Sequence, residues 1–483
     1  MAKSIKSITD PQIALQILSE DDVEKIHNAT LNIIQNIGVR FPSEQALKIW
    51  EKNGAEVDHD IQVVKAPKEL IEEAIKLCPK SYTLAAREEN QDLPLDGNHV
   101  YVGTDGCGVQ IIDLISGELR RTSLQDVADI ARIADFIEEI AFHWVPVSAQ
   151  DYPAKSRGLH ELKAVWQNST KHVQTESIYT IDEAKAAVEM ATIIAGDSQS
   201  LRKRPPLSIM QCTTPPLGQD GGSVDAALIA AEAGIPVGFM TMTSCLTTAP
   251  ATLAGNLAVG NAEVMSAAAL IQLAHPGAPY FYAAAQTAAD LRTGAYTGGG
   301  PEDFLFGAAT NVIADFYDIP LSMGSFATGA KEPNWQAGVE NSLSTLMASI
   351  VMSDMLLGVG LLHGSRIWSY EQMMMDCEIF DVIYHIMKGI TVNEETLALE
   401  TIKNVGSYGN FLSQKHTLKH MREIWVPKYM DRRSYEAWEK EKDGSSDWAR
   451  MKAKEIYDTH FPEPLDPKIV EEFDRIIELV EEK

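Results

Sequence analysis

The sequence predicts an α/β fold, a (β/α)8 barrel of TIM type with helical N-terminal and C-terminal extensions, and three observations point to it. Between residues 99 and 362 short apolar runs alternate with longer helical stretches, the rhythm of repeated βα units. The runs number eight, the count that closes such a barrel. Several are introduced by proline, as in Gly234-Ile235-Pro236 and Gly277-Ala278-Pro279.

Residues 1–98 form the N-terminal extension, read as helical. Ser19, followed by Glu20, Asp21 and Asp22, opens a helix to about Ile37, with a capping hydroxyl and an acidic first turn. A second helix starts near Ser43 and runs to Gly54, and a third, opened by Pro67, continues to about Leu77. The barrel occupies residues 99–390, with strands expected at 99–104, 140–147, 171–176, 206–212, 236–243, 279–285, 320–325 and 355–361. Helices between them include 123–135, 181–195, 221–233, 254–274, 302–317 and 335–353, while 106–122 reads as an inserted hairpin. Residues 391–483 return to charged helices, at 394–404, 433–442, 446–459 and 467–482. Capping the barrel, forming a homo-oligomer interface and contacting a partner protein are all open to this tail.

With 483 residues, 45% of them hydrophobic, the chain is long enough for one large core. A formal charge of -27 repels DNA, RNA and anionic lipid, so neither nucleic acid nor membrane is an expected partner. The five cysteines (78, 107, 212, 245 and 377) are odd in number, scattered and free of any CxxC, which suits a reducing compartment. The N-terminus lacks an apolar signal core, and the apolar stretches 223–240 and 250–274 are interrupted by polar residues, glycine or proline. They read as buried elements, and the expected location is cytoplasmic.

In such a barrel function gathers at the C-terminal ends of the strands. Thr104, Asp105 and Gly106 end the first strand, His143 and Trp144 lie on the second, and Gln174 and Glu176 on the third. Gln211, Cys212, Thr213 and Thr214 end the fourth, and Thr241, Thr243 and Ser244 the fifth. The sixth carries Tyr280, Phe281, Tyr282 and Gln286, the seventh ends in Ser325 and Phe326, and His363, Arg366, Trp368 and Tyr370 follow the eighth. Taken singly, each is more often a satisfied structural group. His143 reads equally as a hydrogen-bonded core histidine, and the aromatic sixth strand as packing. The collection is what marks a pocket. Aromatic faces beside two carboxylates, Asp105 and Glu176, suit a desolvated cation, above all a quaternary ammonium with no proton to donate.

Other chemistries lack their motifs. There is no HExxH, CxxC or clustered His/Cys set, so no metal of the chain's own is expected, and no GxSxG, GxGxxG or GxxxxGK[ST]. The three glycines at 298–300 before a helix read either as an anion site or as a turn. A Schiff-base lyase needs a strand lysine, and Lys331 lies in a loop.

The stretch from Gly329 to Ile379 resembles the C-terminal barrel region of the trimethylamine methyltransferase family. There a Lys-x-x-x-x-Gln-Ala-Gly-x-Glu signature leads a long small-residue helix, a Gly-rich strand and a Ser-Tyr-Glu-Gln…Asp-x-Glu segment. Lys331, Gln336, Ala337, Gly338 and Glu340 occupy the first part here, and Ser369, Tyr370, Glu371, Gln372, Asp376 and Glu378 the last. Agreement extends to 36–41, 104–106, 122–126 and the Thr213-Thr214-Pro215-Pro216 loop, and covers about residues 15–480. The resemblance implies a barrel that passes a methyl group from an amine to Co(I) of a separate corrinoid (cobalamin-type) protein. Founding members carry pyrrolysine. This sequence holds only the twenty ordinary residues, so it resembles the non-pyrrolysine branch, whose known members act on betaines. The implied donor is a small quaternary amine such as glycine betaine, proline betaine, carnitine or butyrobetaine. Another methylated donor, or betaine binding without chemistry, stands as the alternative.

The chemistry suits that branch. A quaternary ammonium leaves as a neutral tertiary amine, so displacement needs positioning and a dry site rather than an imine adduct or general acid. Trp144, Tyr282, Phe326 and Tyr370 are the expected ammonium box, and Gln174, Glu176 and Gln211 the residues that orient the head group. His363 and Arg366 stand for a substrate carboxylate or the corrin edge; His363 and Glu176 carry the catalytic expectation, and Asp105 and Lys331 the cofactor side. Ser369–Glu371 reads equally as a helix cap with an acidic first turn, and Lys331 equally as a loop anchor.

Overall fold

The computed structural model describes residues 6–7, 15–296 and 298–482. Eight strands close into an all-parallel barrel: β1 (Tyr101–Thr104), β2 (Ile140–Trp144), β3 (His172–Thr175), β4 (Leu207–Cys212), β5 (Val237–Thr241), β6 (Tyr280–Ala284), β7 (Leu321–Gly324) and β8 (Met355–Val359). Each lies inside one of the expected runs, and they follow one another round the barrel in chain order, β8 pairing back onto β1. Parallel neighbours require crossovers. These run through α1 (Leu124–Phe136), α2 (Arg157–Asn168), α3 (Ile181–Ala195), α4 (Gly221–Ala233), α5 (Leu253–Ala274), α6 (Pro301–Phe316) and α7 (Trp335–Ile350), and α8 (Tyr370–Met387) follows the last strand. The predicted fold class is the observed one.

Period-two alternation sorts the strand residues into two cores. One face of each strand packs on the helices: Val237, Phe239, Tyr280 and Tyr282 belong to this outer core. The other face fills the barrel with Tyr101, Phe142, Trp144, Met210, Met240, Phe281 and Leu357. Phe281 can lie across the interior because its neighbour is Gly238, where a Cβ would stand 2.1 Å from the ring. α5 is long and apolar enough to cross a membrane by length and composition, but 83% of its most apolar window is buried here.

The N-terminal extension carries the expected helices and, besides them, short strands. Its helices are present at Glu20–Asn32, Glu44–Lys52 and Lys68–Ile75, the first continuing as a π turn to Ile37. Between them run a small sheet (Val39–Arg40, Val63–Lys65, Glu56–Asp58) and a hairpin of Tyr82–Leu84 with Leu93–Leu95. Strands of two or three residues are too short to show a period in sequence. The hairpin belongs to the core: Leu84, Leu93 and Leu95 join the inner cluster and plug one end of the barrel.

At the other end the expected hairpin insertion forms from Gln110–Ile112 and Leu119–Arg121. It extends into a four-stranded sheet with Ile367–Ser369 and Leu361–Leu362, which ties the loop after β1 to the loop after β8. In the C-terminal extension the helices Ser445–Thr459 and Pro467–Glu481 pack on the barrel's helical layer, while the predicted 394–404 helix breaks in two at Ala398, whose φ is 51°.

Candidate active site

His172, Gln174 and Glu176 share the inward face of β3 and its extension, and so point into the barrel at three depths. His172, lowest, donates from Nδ1 to the Ala85 carbonyl at 2.8 Å and meets Ser208 Oγ through Nε2 at 2.9 Å. Burial holds its pKa down at about 4, so it stays neutral. One layer up, the Gln174 amide sits 3.8 Å from the Met210 sulfur. Glu176 reaches the top, where it accepts the Cys107 thiol at 3.2 Å.

A small cavity of about 50 Å³ opens there. Trp144, Phe326 and Tyr296 give it aromatic walls, and Met240, Met242 and Leu357 line it further. Asp105, Asp303 and the thiols of Cys107 and Cys212 face the same space. The indole of Trp144 lies flat over Gly106, where a Cβ would stand 2.2 Å from its ring atoms, so only glycine admits this packing.

Two carboxyls, Asp105 and Asp303, line the cavity and a third, Glu176, adjoins it through Cys107, with no lysine, arginine or histidine among the described lining residues. Burial pushes Asp105 up to about 7, although the Cys107 and Gly106 amides offset part of the effect. Burial, reinforced by the like charges of Asp105 and Glu161, pushes Glu176 up to about 8. Burial takes Asp303 to about 6, against the Gly300 amide it accepts at 2.8 Å. Desolvation of this size favours the protonated carboxyls, and a cation placed beside them would reverse it. Burial also raises both cavity thiols, Cys107 and Cys212, so neither is a thiolate nucleophile at neutral pH.

Of the expected site residues, Trp144, Phe326 and Asp105 line the cavity and Glu176 adjoins it through Cys107. Gln174 lies in the layer below. Three are turned elsewhere and are corrected. Tyr282 has the outward parity of its strand and packs on the helical layer, facing Glu263 and Tyr317. Gln211 likewise points outward, its amide donating to the Ile178 carbonyl at 2.8 Å. Tyr370 begins α8 and is buried near Asp126 and Asp129 of α1. His363, Lys331 and Arg366 gather at the rim: His363, with φ 55°, donates its backbone N–H to Ala330, and burial, then Lys331 and Arg366, lower its pKa. Arg366 and Lys331 are exposed, and the Lys331 ammonium turns back to the Gly329 carbonyl.

Several motif residues brace loops instead. Ser369 caps α8 by accepting the Gln372 amide at 3.2 Å, as the cap reading expects. Glu340 accepts Gly329 N at 2.9 Å, and Asp376 accepts Gly360 N at 2.9 Å and the Asn341 amide at 2.7 Å. Glu263 holds the Thr213 hydroxyl at 2.6 Å and Leu217 N at 2.8 Å. His143 is a core histidine bonded to Ser169 at 2.7 Å. Asp303 was missed in sequence: it caps α6 behind the three glycines, which leaves that helix end without need of an anion. Cys107 was missed too, although it lies one residue past the Thr104-Asp105-Gly106 turn.

Fold and site together define a (β/α)8 barrel with an acidic, aromatic ligand cavity at its C-terminal mouth. The profile described as Trimethylamine methyltransferase (MTTB) matches residues 1–482. The chain is 33% identical over 468 residues to the trimethylamine methyltransferase MttB of Desulfitobacterium hafniense, covering 96% of this chain and 94% of that protein. It is also 33% identical, over 456 residues, to the glycine betaine methyltransferase of D. hafniense strain Y51, covering 94% of each. Among solved structures, the monomethylamine methyltransferase MtmB of Methanosarcina barkeri aligns with a TM-score of 0.47 and 12% identity, over 96% of this chain and 94% of that one. The chain belongs to the trimethylamine methyltransferase family.

Proposed function

We propose that the protein is a corrinoid-dependent methyltransferase, taking a methyl group from a methylated ammonium compound and delivering it to a separate corrinoid protein. The observation that carries this reading is the cavity itself: Trp144 and Phe326 beside the buried carboxyls of Asp105 and Asp303, with Glu176 adjoining through Cys107. A methylated cation supplies what those carboxyls lack, and aromatic faces hold it without hydrogen bonds.

Likeness supports the wider reading, a methylated amine donor, better than a betaine in particular, because relatives named for trimethylamine and for glycine betaine are both 33% identical. Within it, two observations favour a quaternary betaine of the non-pyrrolysine branch. The chain holds only ordinary residues, and a quaternary ammonium needs no electrophilic adduct to make its amine a leaving group. Lys331, His363 and Arg366 form a basic rim beside Ser365, which lines the cavity, so an ammonium can sit inside while its carboxylate faces the rim. The carboxyls and Trp144 hold the charged ground state more tightly than the transition state, where charge is leaving. They lower KM more than they raise kcat.

A corrinoid carried by a partner would supply a Co(I) nucleophile at the mouth. Met242, Leu246, Leu291 and Tyr296, all exposed on the loops after β5 and β6, offer that partner an apolar rim suited to a flat ring. Protonated Cys107 and Cys212 keep competing sulfur nucleophiles silent. Net charge and unpaired cysteines support a cytoplasmic setting.

The test is demethylation of a panel (glycine betaine, proline betaine, carnitine, butyrobetaine, trimethylamine) with reduced corrinoid as acceptor, read by methyl-cobalt absorbance. Methylation by one betaine and none by trimethylamine supports the finer reading. Methylation by trimethylamine alone moves it to the wider one, and silence across the panel with binding intact leaves a barrel that binds without chemistry. His363→Ala should cut transfer without lowering the melting temperature.

A further inference from the structure

We infer that Tyr296 is a donor-binding residue, carried on a hairpin of residues 289–296 that swings off Gly364 to admit the methylated ammonium and returns as an aromatic wall of the cavity. The inference rests on the proposed function and says how a donor enters the site. At about 50 Å³ the cavity holds water and nothing larger. An apolar void takes a six-carbon ring at roughly 150 Å³, and tetramethylammonium, the smallest quaternary ammonium, is about as big. Part of the wall must therefore give way before a donor can enter.

Most of the wall is fixed. Trp144 is held on Gly106, Phe326 is fully buried, and Met240 and Leu357 are inward residues of β5 and β8. Tyr296 is 40% exposed, although it lines the same space. It closes a hairpin whose backbone bonds are internal. Asp290 N–H donates to the Ala295 carbonyl at 2.9 Å, Gly294 N–H to the Asp290 carbonyl at 2.7 Å, and Ala289 bridges to Tyr296. Residues 291–296 are all exposed. A unit that bonds chiefly to itself can move without leaving buried polar groups unpaired.

The hairpin is pinned at both ends. Before it, Thr287–Ala288 pairs with Ser244–Cys245, and Ala289 N–H donates to the Cys245 carbonyl at 3.2 Å. Beyond it, Gly299 lies so close to Ala327 and Glu340 that a Cβ would stand 2.8 Å from each. Gly294, Gly298 and Gly299 have φ of 68°, 54° and 79°, a region that glycine enters and leaves at little cost. The ring itself rests on Gly364, where a Cβ would stand 3.0 Å from it, so no side chain there grips it. Burial, then the charges of Asp303 and Asp105, raise the Tyr296 phenol. The ring thus stands beside the carboxyls, where a cation is held between negative charge and an aromatic face.

Calorimetry and hydrogen exchange on the full chain test this, with the panel's betaines, trimethylamine and tetramethylammonium as probes. With a probe that binds, exchange of the amides at 290–296 should slow about tenfold, while the plug hairpin at 82–95 stays unchanged. Tyr296→Ala should weaken that probe about tenfold and abolish the slowing, at an unchanged melting temperature. Tyr296→Phe keeps the ring and should bind within about twofold of wild type. A probe bound equally by wild type and Tyr296→Ala, or bound with no change in exchange at 290–296, would overturn the role of Tyr296 and leave the cation cavity standing. A wild type that binds none of the probes overturns the cation cavity and this inference together.

Discussion

The two ends of the barrel are built from the same strands and treat polar groups in opposite ways. At the plugged end His172 finds a carbonyl and a hydroxyl, and Leu84, Leu93 and Leu95 exclude water around it. Four residues further along the same inward row, Glu176 lies buried beside Asp105, and the described residues lining the cavity include no lysine, arginine or histidine. Local satisfaction at one end serves stability. Local want at the other is how a rigid scaffold holds a site ready for a charged ligand.

If the division is right, damage at the plug should cost stability and leave catalysis alone. Leu93→Ala should lower unfolding free energy by about 2–5 kcal/mol in denaturant titration, with kcat/KM per folded molecule within about twofold. A large loss of turnover there would break the comparison. At the mouth the reverse holds. Gly106→Ala must displace the Trp144 indole and should reduce kcat/KM about 100-fold, about 2.7 kcal/mol. Glu176→Gln should raise KM for a methylated ammonium donor about tenfold while kcat moves little.

The same carboxyls set a pH dependence with a definite sign. Their folded pKa values, about 7 for Asp105, about 8 for Glu176 and about 6 for Asp303, lie above those of the unfolded chain. The folded state therefore binds more protons between pH 4 and pH 8, and stability contributed by these groups is lost as pH rises through that window. Cation affinity moves the other way, tightening over pH 6–8 as the carboxyls ionise. Glu176→Gln should melt a few degrees above wild type at pH 8.5 and level with it at pH 5. The smallest effects belong to residues turned outward: Tyr282→Phe and Tyr370→Phe should leave kcat/KM within about twofold.

All eight strands were legible because each is an apolar run of strand length punctuated by proline, glycine or polar residues. The side each residue faces was not. In a parallel barrel both strand faces are buried, so nothing in Tyr280-Phe281-Tyr282 says that the phenylalanine points inward and the tyrosines outward. Tyr370 misled for a related reason: the short strand Ile367–Ser369 carries the chain away from the mouth before α8 begins. Asp105, Glu176 and Trp144 were legible as strand-end residues out of keeping with a core, and the Thr104-Asp105-Gly106 turn announced itself. Asp303 and Cys107 were not, since their importance comes from loops that fold back over the mouth.

Calorimetric titration of the wild type with the panel's best donor, at pH 7 in two buffers of different ionisation enthalpy, tests the central claim most directly. A cation held by half-protonated carboxyls should bind with release of protons, visible as a buffer-dependent heat, and Glu176→Gln should both weaken binding and shrink that release. Binding with the same heat in both buffers, and undiminished in Glu176→Gln and Trp144→Ala, would contradict the account.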